Sequence, residues 1–391
     1  MRILAVDVGT GTQDILVFDS SGPVENSIKL VMPSATSIAA GRIRRATEAG
    51  RPVLLTGVIQ GGGPCHWALE DHLRASSASA PGGGRAAYAT PDAARTFDDD
   101  LERVEAMGVR IVSEDEAGGI DAERIDLRDL DLPAIRSALA AFDVPGAFDG
   151  FALGCLDHGD APPGTSDRLF RFEHLRRVVE RENDLRAFAC LPSELPEYLT
   201  RARTLVAFAE GEGDAVFLDT GPAAALGALQ DPRVAAAEEQ LVLNLGNMHA
   251  LAFHLRGTHP SSGLRASIVS LYEHHTGEMA TERIEDFTER LVGGSLRHEE
   301  VFGSKGHGVF YADGAYPSPG PSPKGEGKVG VTPFLAVTGP QRGRLRKSRL
   351  QPYFATPHGD MMISGCFGLV RAFGHRYPER REEIERALAG E

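Results

Sequence analysis

Cysteine is scarce and scattered in this sequence. Cys65, Cys155, Cys190 and Cys366 form no CxxC pair and no CxxxCxxC run. A disulfide framework, a structural zinc site of the cysteine type and a three-thiolate iron–sulfur cluster are therefore disfavoured, and a reducing compartment fits. Positive charge is also in short supply. The chain has 41 Lys and Arg against 55 Asp and Glu, a formal balance of −14, which argues against a nucleic-acid surface. The local exception, RGRLRKSR at residues 342–349, reads as a solvated helix face or a clamp for one anion. No apolar stretch approaches the ~20 residues of a membrane span. The only early apolar run is interrupted at Asp7, so no secretory signal is expected. A soluble, cytoplasmic protein with no membrane partner is the expectation.

What is present is ordinary in amount and unusual in arrangement. At 391 residues, 42% hydrophobic and 25% charged, the chain suits a globular enzyme too long for one core, so two domains are expected. Residues 1–18 (MRILAVDVGTGTQDILVF) read as a β-hairpin with both strands buried. Its turn joins a carboxylate, Asp7, to Gly9, Thr10, Gly11 and Thr12. Glycines let backbone N–H groups approach a ligand, and such groups with Thr hydroxyls make a nest for phosphate oxygens. Asp7 at the strand end could hold a hydrated magnesium. A tight turn made for backbone reasons alone is the competing reading.

Downstream, the pattern predicts a strand at 27–32, a helix at 36–49 and an apolar strand at 52–59. That strand runs into Gly61-Gly62-Gly63 and a further helix; the glycine loop reads first as a plain strand–helix connection and second as an anion site. Helices are expected at 90–107, 132–142, 172–182 and 195–209, with a strand at 109–112. The buried strand 148–155 breaks into Asp157, His158 and Asp160, at the kind of strand end where open α/β sheets place their chemistry. These three are candidates for a general base or a metal shell, or form a loop that caps the next helix. A helix starts near Thr220. A second hairpin then spans 241–253, with Asn244, Gly246 and Asn247 at its turn, repeating the logic of the first and arguing for two related halves. Helices are expected at 264–275 and 281–292. The Pro/Gly/Ser-rich segment 316–328 cannot form a packed core and is expected to be a mobile surface loop. Residues 334–340 form a buried strand and turn, with Thr338, Gly339 and Pro340 at its end, and 359–373 a helix.

Five segments in this order resemble the superfamily of actin, the seventy-kilodalton heat-shock chaperones, hexokinases and glycerol-type sugar kinases. Asp7 to Thr12 is similar to its first phosphate loop, Thr220 to Leu229 to the first connecting helix, and Asn244 to Asn247 to the second phosphate loop. Val337 to Pro340 is similar to the adenosine motif, and Met362 to Phe373 to the second connecting helix. Within that superfamily the segments ALGCLDHGDAPPGTSDRLFRF, NLGNMHALAF, VTGPQR and PHGDMMISGCFGLV look most like a prokaryotic family labelled as a pyruvate formate-lyase activating enzyme. A glycyl-radical activase of the known type needs the three-cysteine motif that this sequence lacks.

The resemblance implies an α/β fold of two ribonuclease-H-like domains flanking a nucleotide cleft. The first domain is expected at 1–230 and the second at 231–373, with the segment 374–391 returning to the first. ATP and magnesium are the implied cofactors. Gly9 to Thr12, Asn244, Gly246 and Asn247 would cradle phosphates, Thr338, Gly339 and Pro340 would take the adenosine, and Asp7 would take the metal. Asp157, Asp160 or His158 would accept a proton from a small polar metabolite, making the chain a kinase. The alternative is an ATP-driven switch read by a protein partner. Two departures bear on the choice. Asn244 stands where relatives carry Asp, and Pro340 follows Gly339 where a second glycine is usual.

Overall fold

The computed structural model describes residues 1–77, 86–257, 266–312 and 332–390. The chain is α/β, with two mixed sheets and one parallel sheet among the described residues. It opens with β1 (Arg2–Val8), β2 (Thr12–Asp19) and β3 (Ile28–Pro33), an antiparallel meander. It then leaves to build a parallel sheet from β4 (Val53–Gly57), β5 (Ala87–Ala89), β6 (Val109–Ile111) and β7 (Glu123–Leu127), in the order β6-β5-β4-β7. It returns with β8 (Gly150–Cys155) and β9 (Asp214–Phe217), which extend the first sheet in parallel to the order β3-β2-β1-β8-β9. The second mixed sheet follows the same plan. There β10 (Glu239–Leu245), β11 (His249–Arg256), β12 (Ser267–His275) and β13 (Gly308–Tyr311) run antiparallel, and β14 (Phe334–Thr338) and β15 (Tyr353–Phe354) add in parallel beyond β10.

Alternation along the central strands delivers the polar residues to one place. On β1, Leu4, Val6 and Val8 face one hydrophobic cluster, while Ile3 and Ala5 face another that is shared with helix Ser364–Arg376. Asp7 shares the face of Ile3 and Ala5, because strand side chains alternate. Its carboxylate therefore meets the start of that helix, where a Cβ on Gly365 would strike it. On β10, Leu241, Leu243 and Leu245 pack outward with helix Thr281–Val292, and Val242 packs inward. Asn244 follows Val242 inward, the counterpart of Asp7.

Two helices cross between the sheets. Helix Thr220–Ala228 packs on β10 and β14, and helix Ser364–Arg376 packs on β1, β8 and β9. Helix Thr220–Ala228 thus lies on the sheet that the chain goes on to build, and helix Ser364–Arg376 on the sheet that the chain built first. Their backbones touch, since a Cβ on Gly227 would meet the carbonyl of Ser364 and one on Gly368 the carbonyl of Ala223. The last helix, Pro378–Ala389, returns to the N-terminus, where Glu383 pairs with the Met1 amine at 2.7 Å.

Four expectations need correction. Residues 267–275 are strand β12 rather than part of a helix at 264–275. Ile268, Val269, Leu271 and Tyr272 suit either period, and pairing with β11 from His249↔His275 onward decides for the strand. Residues 258–265, where that expected helix begins, lie outside the described residues. The helix expected at 90–107 is two short pieces, Pro91–Ala94 and Leu101–Ala106, because Asp100 caps the second by accepting from Glu102 N at 3.0 Å. The helix expected at 195–209 begins only at Thr200. The basic run begins as a 3-10 turn, Arg342–Leu345, and much of its charge is spent within the chain. Arg344 donates to the carbonyls of Thr276 and Met279, and Arg349 pairs with Glu285 and Glu289. The segment 316–328 lies outside the described residues. Among the described residues, no helix is long and apolar enough to cross a membrane.

Candidate functional site

The two hairpin turns face each other across a cavity of about 350 Å³, within the range of small-ligand sites. Both turns close in the same way. Gly9 N donates to Thr12 O and Gly246 N to His249 O, each at 2.9 Å. Neither glycine has room for a side chain beside that carbonyl. The turns come close enough that a Cβ on Gly11 would strike the Asn247 amide. Gly339 adopts φ +92°, a conformation that suits glycine, and its Cβ position is filled by Leu245 and Asn244. Gln341 then ties this turn to the second hairpin through Leu245 O at 2.9 Å and Asn247 Oδ1 at 3.2 Å. Gly9, Thr10, Thr12, Asn244, Gly246, Asn247, Thr338, Gly339 and Pro340 all line the cavity, and Gly11 sits between the turns.

Asp7 lines the cavity too, and accepts from Thr220 Oγ1 at 2.7 Å. Burial pushes its carboxyl up to about 6. Asp14, opposite it on β2, is pushed to about 7 by burial and then by the charge of Asp7. One Asp14 oxygen has no hydrogen-bond partner. A buried carboxylate with a half-buried one opposite it, the second raised by the charge of the first, presents a site that favours a cation.

The three acid–base candidates divide. His158 lines the cavity; Asp157 and Asp160 do not. The Asp157 carboxylate accepts from Gly159 N at 2.8 Å and from Ala202 N at 2.9 Å, so it caps helix Thr200–Ala207 and closes its own turn. Asp160 is exposed, held only by its backbone N–H to Tyr198 O at 2.7 Å. Of the three side chains expected at this strand end, the loop brings His158 to the cavity and turns the two carboxylates elsewhere. The Asp157 carbonyl also accepts from Arg171 at 2.8 Å, so Asp157 positions the turn that aims His158 at the cavity. Asp157→Asn keeps one acceptor and turns an NH2 against the other backbone N–H. It should cost about 1–3 kcal/mol in urea unfolding, a structural effect that a free catalytic carboxylate would not show.

Several cavity residues carry no motif. Gly61, Gly62 and Gly63 line it beside Thr10, so the loop read first as a plain connection reaches the site. Arg201, half-buried, pairs with the buried Asp129 at 2.6 Å and donates to Leu156 O at 2.7 Å. Glu273 shares the inward face of β12 with Leu271 and is fully buried. Arg171, also fully buried, bridges it at 2.9 Å to Asp219, 2.7 Å away on the other half. That guanidinium holds Glu273 well below the usual carboxylate range despite its burial.

Imidazoles gather at this end. His249 ends the second hairpin turn, and its Nδ1 lies 3.4 Å from Glu273 Oε1. The rings of His249 and His307 are 5.0 Å apart, and those of His249 and His158 are 5.1 Å apart. His275 packs 4.8 Å from both His249 and His307. Of these only His158 carried a sequence argument. A glycine-flanked histidine, Gly306-His307-Gly308, was the available signal. A Cβ at either glycine would collide with a neighbour, His274 and Val301 at the first and His298 and Phe172 at the second.

A family profile described as "Putative pyruvate format-lyase activating enzyme (DUF1786)" matches residues 60–344. The chain belongs to this family. The matched stretch holds the second hairpin, Arg171, Glu273 and the clustered histidines, and leaves out the first hairpin and helix Ser364–Arg376. No curated protein matches the chain. The activity in the family's description is set against four cysteines dispersed along the chain, three of them buried. Burial pushes the Cys65 thiol up to about 12, far from the thiolate form that ligates metal clusters.

Proposed function

We propose that this member of the family is an ATP-dependent phosphotransferase of the actin-like superfamily. It would be built from two ribonuclease-H-like halves and would act in the cytoplasm on a small polar metabolite. The observation that carries the reading is the pair of hairpin turns, closed by identical backbone bonds, that meet across one cavity. Backbone N–H groups beside glycines suit phosphate oxygens from both sides. The turn at Gly339 and Pro340, tied to Asn247 through Gln341, supports an adenosine end. Asp7 with Asp14 supports a magnesium ion, since the burial of Asp7 and its charge beside Asp14 call for positive charge there. Such an ion would neutralise the charge of the transferring phosphate.

The acceptor would enter at the histidine end, where His158, rather than Asp157 or Asp160, can take its proton. Closure would exclude water, as phosphoryl transfer to a hydroxyl other than water's requires. Asn244, uncharged where Asp7 is charged, favours the second reading, an ATP-driven switch read by a protein partner without efficient transfer.

A thermal-shift titration with ATP and ADP, with and without magnesium, tests the shared premise. Ligand at ~100 times its dissociation constant should add roughly 2.7 kcal/mol to stability. Asp7→Asn should abolish the magnesium-dependent part of the shift. The ligand-free variant should melt no lower than the wild type at neutral pH, because it removes a carboxylate whose ionisation burial opposes. No shift with any nucleotide overturns both readings. A shift without ADP release across a panel of hydroxyl acceptors leaves the switch.

A further inference from the structure

We propose that His158, His249 and His307 bind one first-row transition-metal dication, of which zinc is the simplest case, beside the phosphate loops. The three side chains come from different parts of the fold: the turn after β8, the end of the second hairpin turn, and the residue before β13. One ligand atom from each lies within 4.8 Å of the other two. Zinc bound at 2.0–2.1 Å in a tetrahedral site needs nitrogen separations of ~3.3 Å, which small ring rotations supply. His307 is completely buried, and neither of its ring nitrogens has a hydrogen-bond partner. Leaving a buried imidazole wholly unpaired is expensive, and a metal bond removes that cost at one nitrogen.

The surroundings have the form of a ligand-orienting shell. Glu273 Oε1 lies 3.4 Å from His249 Nδ1, where a carboxylate can hold that proton and leave the other nitrogen to the ion. Glu273 is itself fixed by Arg171, whose charge Asp219 and Glu273 already balance. The loop carrying His158 is held at Asp157 through both its carboxylate and its carbonyl. His158 and His249 line the cavity, so the fourth coordination position opens towards it. Three imidazoles with an open position suit zinc or iron(II) and not magnesium, which demands oxygen ligands. The inference goes beyond the phosphotransfer reading and does not depend on it. With an ion bound, His158 is a ligand, and a water or acceptor oxygen on the ion would be the group that gives up a proton.

The test uses tag-free full-length protein, stripped with chelator and titrated with Zn2+ or Co2+ in the absence of nucleotide. One equivalent of zinc should remain after gel filtration, and Co2+ should give the visible bands of a tetrahedral site. His158→Ala and His249→Ala, on cavity-facing positions, should each weaken binding more than a hundredfold, beyond the 10–100-fold typical of outer-shell changes. His307→Ala should do the same; circular dichroism reports whether it folds. His275→Ala, which removes a neighbour and not a ligand, and Asp7→Asn, in the nucleotide end, should keep stoichiometry and affinity. Substoichiometric binding by the wild type overturns the proposal, as does full binding by both His158→Ala and His249→Ala. A nucleotide shift without metal binding sinks this site alone, and metal binding without a nucleotide shift sinks only the phosphotransfer reading.

Discussion

Arg171→Met should lose about 3–5 kcal/mol of stability, the loss typical when one partner of a buried ion pair is removed. The guanidinium is fully buried and ties three parts together: Glu273 on β12, Asp219 at the start of helix Thr220–Ala228, and the Asp157 carbonyl beside the cavity. Removing it strands two carboxylates, one in each half, and frees the loop that carries His158. Urea unfolding should show the loss, and any ligand shift should weaken with it. The pair also sets a pH dependence. Glu273 has its folded pKa depressed below its ordinary value of 4.5. Its contribution is therefore present above 4.5 and lost as pH falls through the lower folded value. Wild type and Arg171→Met should differ strongly at neutral pH and converge in acid. A variant within 1 kcal/mol of wild type at neutral pH would mean the buried triad is dispensable.

Gly368→Ala should be strongly damaging for a single added methyl. The new Cβ would enter the carbonyl of Ala223 and the N–H of Gly227, both backbone atoms of the facing helix. Rotamer changes cannot relieve such a clash, so the helices must separate, at a cost of about 3 kcal/mol. The same crossing joins the two halves, so ligand-linked stabilisation should fall more steeply than stability alone predicts. Gly374→Ala, on the same helix, meets only the Ile384 side chain at 3.3 Å. It should stay within about 1 kcal/mol of wild type, since Ala is the better helix former. Comparable losses in both variants would mean that the effect is generic to the helix and not due to the crossing.

These two expectations rest on features of different legibility in the sequence. Gly365 and Gly368 of helix Ser364–Arg376 are visible in the sequence, but the backbone that Gly368 meets belongs to a helix some 140 residues earlier. The turns at Gly9 to Gly11 and Gly246 to Met248 were plain, because a hairpin is a local object whose strands, glycines and register lie within some twenty residues. Strand β12 was not plain. Its apolar spacing fits a helix as well, and the partner that decides for a strand is another stretch of chain. The parallel sheet β4 to β7 was missed as a unit for a similar reason, with all four of its strands only three to five residues long.

Composition and pattern by themselves determined the α/β class, the two similar hairpins and the position of Asp7. All of these follow from the two- and three-to-four-residue periods of the backbone. Tertiary structure alone decided which side chains of the Asp157–Asp160 loop reach the cavity. It also decided that Arg171 would bridge Asp219 and Glu273, and that His158, His249 and His307 would meet. Those outcomes depend on strand register and on where returning chain crosses the sheets. Residues far apart in sequence become neighbours only once both sheets and the helices between them are packed.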